Sequence, residues 1–250
     1  MIKNIENKKI SITYEDKNII LPEEIKEKIK KGWQEFKSKN PVLYNGEVTC
    51  VNKYESNDTK INISCQKSNF AHYLYDERIG LPLEYSCINI SAGALLETSD
   101  GYYLIGELDE KMSYPHVLQI SGGNVDKKDI ENGIVNIMKT ISREVMEEVN
   151  INLYDNSQVS SLKLKYIYET EQNEKPKVQI FAKANLKISS EEMKKHYNTY
   201  LEYLKKNNLE IEFGKIHLLK KNNAIEILEN MSNPKREYLI PLVTADLSNC

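Results

Sequence analysis

Arginine is scarce in this sequence. The 250 residues hold 34 cationic side chains, yet only Arg78, Arg143 and Arg236 carry a guanidinium. Two-pronged recognition of phosphate or carboxylate is therefore confined to three positions. The four histidines, His72, His116, His196 and His217, are too scattered to make a zinc motif. The four cysteines, Cys50, Cys65, Cys87 and Cys250, show no C-x-x-C spacing, so reduced thiols are expected, as in a cytosolic protein. No apolar run approaches the roughly 20 residues of a membrane span. The start, Met1-Ile2-Lys3-Asn4-Ile5-Glu6, is polar and leads into no long apolar stretch, which argues against a signal peptide. The sequence has no internal repeat and no low-complexity linker. A net charge of −3 offers no excess of cations, which argues against nonspecific nucleic-acid binding. The expected compartment is the cytoplasm.

The length suits one large domain, or a core domain with an extension. Residues 8–20 alternate in short stretches and predict a hairpin or edge strands. Pro22 is placed to open a helix, with Ile25, Ile29, Trp33 and Phe36 on one face. Strands are expected at 47–54 and 60–65, separated by Asn57-Asp58. Residues 89–108 read as a hairpin turning at Ser99-Asp100-Gly101, and a further short strand ends in Gly122-Gly123. Strands at 162–168 and 177–186 follow, then a helix capped by Ser189 or Ser190 and running to about residue 206. A strand over 210–219 and a short helix from about Asn223 precede a tail bracketed by Pro234 and Pro241.

The most informative segment is Arg143-Glu144-Val145-Met146-Glu147-Glu148-Val149-Asn150-Ile151. Ile134, Met138, Ile141, Val145 and Val149 recur at helical spacing, while Glu144, Glu147 and Glu148 fall within an arc of roughly 100°. Like charges this close repel one another unless a cation sits among them. Hard carboxylate oxygens at that density suit Mg²⁺ or Mn²⁺.

With the double glycine ahead of it, this helix resembles the motif of Nudix hydrolases. That motif is a Gly, five residues, a Glu, seven residues, then Arg-Glu-hydrophobe-X-Glu-Glu-X-Gly-hydrophobe. Gly122-Gly123 match its start, and Arg143, Glu144, Val145, Glu147, Glu148 and Ile151 match its end. The sequence departs from the pattern at several points. The stretch between the glycines and Arg143 is about six residues longer than the motif allows, which suits a loop insertion over 126–132. The first motif Glu falls on Val135 counted back from Arg143, or on Asp129 counted from Gly123, with Glu131 nearby. Asn150 replaces the closing Gly, Ser121 replaces a usual Pro, and Glu107 stands where many relatives have an arginine. Asn40-Pro41-Val42-Leu43-Tyr44-Asn45-Gly46, Tyr73-Leu74-Tyr75-Asp76, Tyr168-Glu169-Thr170 and the segment from Ser190 to Tyr197 resemble the branch that splits UDP-sugars.

The resemblance implies an α/β/α sandwich, with a mixed sheet between helices, in residues 87–250, and an N-terminal α+β extension in residues 1–86 packed on it. It implies metal-dependent hydrolysis of a nucleoside diphosphate joined to a second moiety, a nucleotide-sugar first and ADP-ribose second. Glu144, Glu147, Glu148 and Gly122 would hold Mg²⁺ or Mn²⁺, with Arg143, Glu144 and Glu147 as the catalytic set. Arg78, Glu169 and Glu171 are the candidate substrate-binding residues, and Glu169 and Glu171 are also candidate general bases. The implied partner is a small nucleoside diphosphate derivative, with no nucleic acid, no membrane and a homodimer as the candidate assembly. A weakly active ligand sensor on the same scaffold is the alternative from another class.

Overall fold

The computed structural model describes residues 1–170 and 177–248. In chain order the elements are β1 (Ile2–Asn4), β2 (Lys9–Asn18), α1 (Glu23–Lys39), β3 (Glu47–Ser56), β4 (Lys60–Asn69), α2 (Phe70–Arg78), β5 (Ile90–Glu97), β6 (Tyr102–Leu108), β7 (Leu118–Gln119) and β8 (Ser121–Asn124). Then follow β9 (Ile130–Glu131), β10 (Ile134–Val135), α3 (Ile137–Val149), β11 (Val159–Glu169), β12 (Val178–Leu186), α4 (Ser190–Lys206), β13 (Phe213–Lys220), α5 (Ala224–Asn230) and α6 (Leu239–Ser248). Among the described residues they make a mixed α/β fold of two sheets and six α-helices.

The larger sheet runs β1-β11-β12-β5-β6-β13, with β12 and β5 parallel and the other neighbours antiparallel. Side-chain alternation along β5 sorts its two faces. Ile90, Ala92, Ala94 and Leu96 join a core with Ile141, Val145 and Val149 of α3. Leu95 points the other way and joins Tyr103, Ile105 and Phe181 against Leu228 of α5 and Leu239, Leu242 and Val243 of α6. The sheet therefore lies between helices, as the resemblance implied. Ile141, Val145 and Val149 are fully buried, and each such side chain contributes about 1.5–3 kcal/mol.

β5 and β6 share one pair, Glu97↔Tyr103, and then part. β8 takes up the free edge of β5 over Ser91–Ala94, and β7 pairs with β6. The double glycine thus lies within β8, rather than at the end of a strand as expected. Gly122 faces Gly93 across that ladder.

The second sheet has the order β3-β4-β2-β10-β9. Residues 8–20 do not form a hairpin or an edge. They make the single strand β2, inside this sheet, parallel to β4 and antiparallel to β10. The longer stretch after the glycines is not an open loop either. Asp126 caps a 3-10 turn at Lys127–Asp129, and β9 and β10 form a small hairpin turned by Asn132 and Gly133, both at positive φ. That pairing of conformations belongs to the tight turns that suit strand twist. β1 pairs with β11, so the first residues reach both sheets. The C-terminal stretch expected as a tail is helix α6, in which Pro241 falls in the first turn, where its missing N–H costs little.

The expectation of free thiols is corrected for one pair. Cys50 of β3 and Cys87, just before β5, are disulfide-linked across 37 residues with a Cα–Cα separation of 5.7 Å. A bridge between Cys50 and Asn89 brings these segments together, a tertiary contact that cysteine spacing does not encode. Cys65 is free and buried. Among the described residues no helix is long and apolar enough to cross a membrane.

Candidate metal centre and cleft

The acid cluster begins with the way α3 is pinned. Its N-cap, Asn136, accepts from the Lys139 N–H at 3.2 Å. Its C-cap, Asn150, is left-handed at φ 55 and donates its N–H to the Met146 carbonyl at 3.1 Å. Asn tolerates that conformation better than other residues with a Cβ, which explains its place where the motif has glycine. Burial of Ile141, Val145 and Val149 turns the neighbouring Glu144 and Glu148, one helical turn apart, inward as well. Glu147 points outward with 54 % of its side chain exposed, and pairs with Arg143 and Lys128.

β8 lies against these acids. A Cβ on Gly123 would stand 2.6 Å from the Glu144 carboxyl carbon, so only glycine leaves room for that carboxylate. The Gly122 N–H donates to Glu148 Oε2 at 2.9 Å, and the Ser121 hydroxyl donates to the same oxygen. Among the described residues Glu148 Oε1 is buried without a hydrogen-bond partner. Glu212 approaches from the far side, one residue ahead of β13. The Asp109 N–H donates to its carbonyl at 2.8 Å. Next to it, the Phe213 ring fills the space over Gly106, and the Phe213 carbonyl accepts from the Tyr197 hydroxyl of α4. Glu144, Glu148 and Glu212 each present an oxygen within 4.8 Å of the others.

Burial pushes all three acids upward: Glu144 to about 7, Glu148 well above its usual value, and Glu212 upward in turn. Glu212 raises Glu148 further, because two buried carboxylates resist being charged together, while the contact with Glu148 offsets part of the rise that burial imposes on Glu212. Three carboxylates, one with an orphaned oxygen, and a glycine that clears space beside another, fit a hard divalent cation.

Arg143 borders the cluster. Its guanidinium bonds Asp129 Oδ2 at 2.9 Å, Glu144 at 2.5 Å, Glu147 at 3.1 Å and the Asn124 carbonyl at 3.1 Å. Asp129 is fully buried and also accepts from the Thr140 hydroxyl at 3.0 Å and the Asp126 N–H at 3.0 Å. Burial pushes the Asp129 pKa up, but Arg143 and these donors leave it below the usual carboxylate range. Of the candidates for the first motif acid, Asp129 is the one that meets Arg143. Val135 is apolar and buried in β10, and Glu131 pairs with Lys139 at 2.7 Å.

The remaining expected residues divide. Arg78 lines a cleft of about 810 Å³ that also takes in Gly122, Gly123 and Glu212. Glu169 does not line it: its carboxylate bonds Lys3 of β1 and Tyr54 of β3. Glu171 lies outside the described residues. Tyr73 lines the cleft, while the Tyr75 ring packs over Gly32 between α1 and α2. Glu107 sits between His217 at 2.8 Å and His116 at 3.1 Å. Sequence reasoning missed Glu212 as a member of the acid cluster, and Arg236 and Tyr114 as cleft residues. The alternation Glu210-Ile211-Glu212 ahead of a strand was visible, but nothing local tied it to α3.

The cleft runs from the acids to a wall formed by Phe36, Phe70, Tyr73 and Arg78 of α1 and α2. Its volume is in the range of about 300–1,000 Å³ found for small-molecule sites.

No protein-family model and no curated protein matches the chain. Solved structures similar to it include a NUDIX hydrolase from Nitrosomonas europaea, at 15 % identity over 65 % of this chain and 89 % of that one, TM-score 0.39. The NUDIX domain of Shewanella oneidensis NrtR complexed with ADP ribose aligns at 10 % identity over 70 % of this chain and 96 % of that one, TM-score 0.44. A NUDIX hydrolase from Alicyclobacillus acidocaldarius aligns at 12 % identity over 65 % and 92 %, TM-score 0.44.

Proposed function

We propose that this protein is a divalent-metal-dependent pyrophosphatase of the Nudix type. It splits a nucleoside diphosphate joined to a second moiety and releases a nucleoside monophosphate and a phosphorylated partner. The observation that carries the reading is the meeting of Glu144, Glu148 and Glu212 beside a large cleft, with a buried oxygen of Glu148 that has no donor among the described residues. These three would hold Mg²⁺ or Mn²⁺, where the resemblance implied Glu144, Glu147, Glu148 and Gly122. When bound, such an ion neutralises phosphate oxygens and activates a water for attack. Arg143, fixed by Asp129, orients Glu144 and Glu147, and Ser121 and Gly122 orient Glu148. The sheet and α3 hold these groups rigidly, as a metal site requires.

The resemblance puts a nucleotide-sugar first and ADP-ribose second as the substrate, and the cleft lining suits either. Phe36, Tyr73 and Tyr114 offer faces for a base or a sugar, and Asn89, Asn124 and Gln179 offer amides for hydroxyl groups.

The test is turnover of UDP-sugars and ADP-ribose with Mg²⁺ or Mn²⁺. Excess EDTA should abolish hydrolysis and either ion should restore it. Glu148→Gln should cut kcat by orders of magnitude, because it removes a metal charge but little volume. Its metal-free melting temperature should equal or exceed that of the parent, since a buried charge is gone. Activity that persists in chelator, or near-normal kcat in Glu148→Gln, would count against the assignment.

A further inference from the structure

The cations around the cleft are not equally engaged. Lys177 is paired with Glu237 at 2.8 Å. The Lys235 ammonium donates to the Met231 and Asn233 carbonyls at 2.6 and 2.9 Å. Arg78 and Lys39 also line the cleft without an ion pair among the described residues, and Arg78 lies over the Phe36 ring at 5.5 Å on the wall away from the acids. Arg236 is the cleft cation whose charge acts on Glu212. Among the described residues its side chain makes one hydrogen bond, from Nε to Gln119 Oε1 at 3.1 Å, and no ion pair with a carboxylate. Gln119 is itself buried, so it is a fixed support. The Arg236 guanidinium lies over the Tyr114 ring at 5.0 Å, and its backbone N–H is held by the Leu118 carbonyl at 3.0 Å. The Tyr114 hydroxyl is anchored in turn, donating to Glu77 at 2.9 Å. One edge of the guanidinium and one face are therefore immobilised, while its terminal amino groups have no acceptor among the described residues. A planar fork fixed in this way loses little freedom when it binds a phosphate.

Its position matters as much as its bonding. Arg236 lines the same cleft as Glu212, Gly122 and Gly123. Its charge acts on Glu212, where it opposes the rise that burial imposes. A diphosphate whose oxygens are drawn to a cation on the acid trio would leave further oxygens facing the cleft. Arg236 faces the cleft there, close enough to Glu212 to act on its charge but, among the described residues, without a carboxylate in ion-pair contact.

We propose that Arg236 is a substrate-binding residue that takes the phosphate oxygens of the diphosphate turned away from the metal, with Gln119 and Tyr114 holding its fork. This rests on the pyrophosphatase reading above. It makes the site selective for a diphosphate over a monophosphate, since a single phosphate held by the metal leaves Arg236 with nothing to bind.

The test is calorimetric binding of UDP-glucose, ADP-ribose, UMP and AMP to the full chain with Ca²⁺ in place of the active ion, alongside direct titration of Mn²⁺. Arg236→Gln should weaken UDP-glucose or ADP-ribose, whichever the parent binds, by about tenfold to a hundredfold, the loss expected for a charged hydrogen-bonded pair. UMP and AMP should weaken by no more than about threefold, and Mn²⁺ affinity should hold, because no metal ligand has changed. Arg236→Lys should recover only part of the loss, because an ammonium lacks the fork. Tyr114→Leu, at a half-exposed position, should weaken the diphosphates selectively and less, and it serves as the test if Arg236→Gln does not fold. Equal weakening of monophosphates and diphosphates, or no weakening, would overturn the role of Arg236 and leave the metal reading standing. If the parent protein binds Mn²⁺ but none of the four nucleotides, the pyrophosphatase reading falls and this role with it.

Discussion

Gly123 is where backbone and chemistry meet most tightly. Gly123→Ala would place a methyl group 2.6 Å from the Glu144 carboxyl carbon. Glu144 is confined by α3 and Arg143, so the carboxylate must shift away from its place beside Glu148 and Glu212. We expect Mn²⁺ affinity to fall by about tenfold or more and stability to change by about 1–3 kcal/mol. Calorimetric titration and denaturant melts would read the two effects separately, and unchanged Mn²⁺ affinity would remove Glu144 from the ligand set. At this scale the site was partly legible. Glu144 and Glu148 stood out because their spacing matches one helical turn beside an apolar stripe. Glu147 shared the same arc, but the arc was wide enough to include an outward-facing position. Glu212 was not legible, because the pairing of β13 with β6 delivers it and no local period records that pairing.

The end of α3 exposes a different trade. Asn150 holds a left-handed conformation that glycine adopts without strain. Asn150→Gly should therefore leave the helix end intact and raise stability by up to about 1 kcal/mol. A shift in the urea midpoint with an unchanged slope would measure it, and a loss of stability would mean that the Asn150 side chain makes a contact of its own. The long helices and strands were readable because their apolar spacing runs for many residues, as in α1, α4, β11 and β12. The two-residue strands β9 and β10 were not, since two residues carry no period, and Ile130, Glu131 and Asn132 were absorbed into the loop expected over 126–132. Helix α6 was hidden by Pro241, which reads as a breaker until its place in the first turn is known.

For the molecule as a whole, the acid cluster links stability to pH and to metal. Glu144 rises from 4.5 to about 7, and burial shifts Glu148 and Glu212 in the same direction. The folded protein thus holds these protons more tightly than the unfolded chain. The site's contribution to metal-free stability is complete below the ordinary glutamate value and is lost as pH rises through about 7. Mn²⁺ needs the deprotonated acids, so the melting temperature gained on adding it should be larger at pH 8 than at pH 6. An equal gain at both values would separate the cluster from the metal. The two sheets also bear on how the chain can be divided. Strand β2 pairs with β10, β1 pairs with β11, and Ile12, Ile61 and Ile63 share one core with Ile141 and Val145. A fragment begun at Cys87 would bare the apolar surface that these residues cover. It should precipitate or bind a hydrophobic dye where the intact chain does neither, so anyone seeking a minimal active piece must keep the first strands.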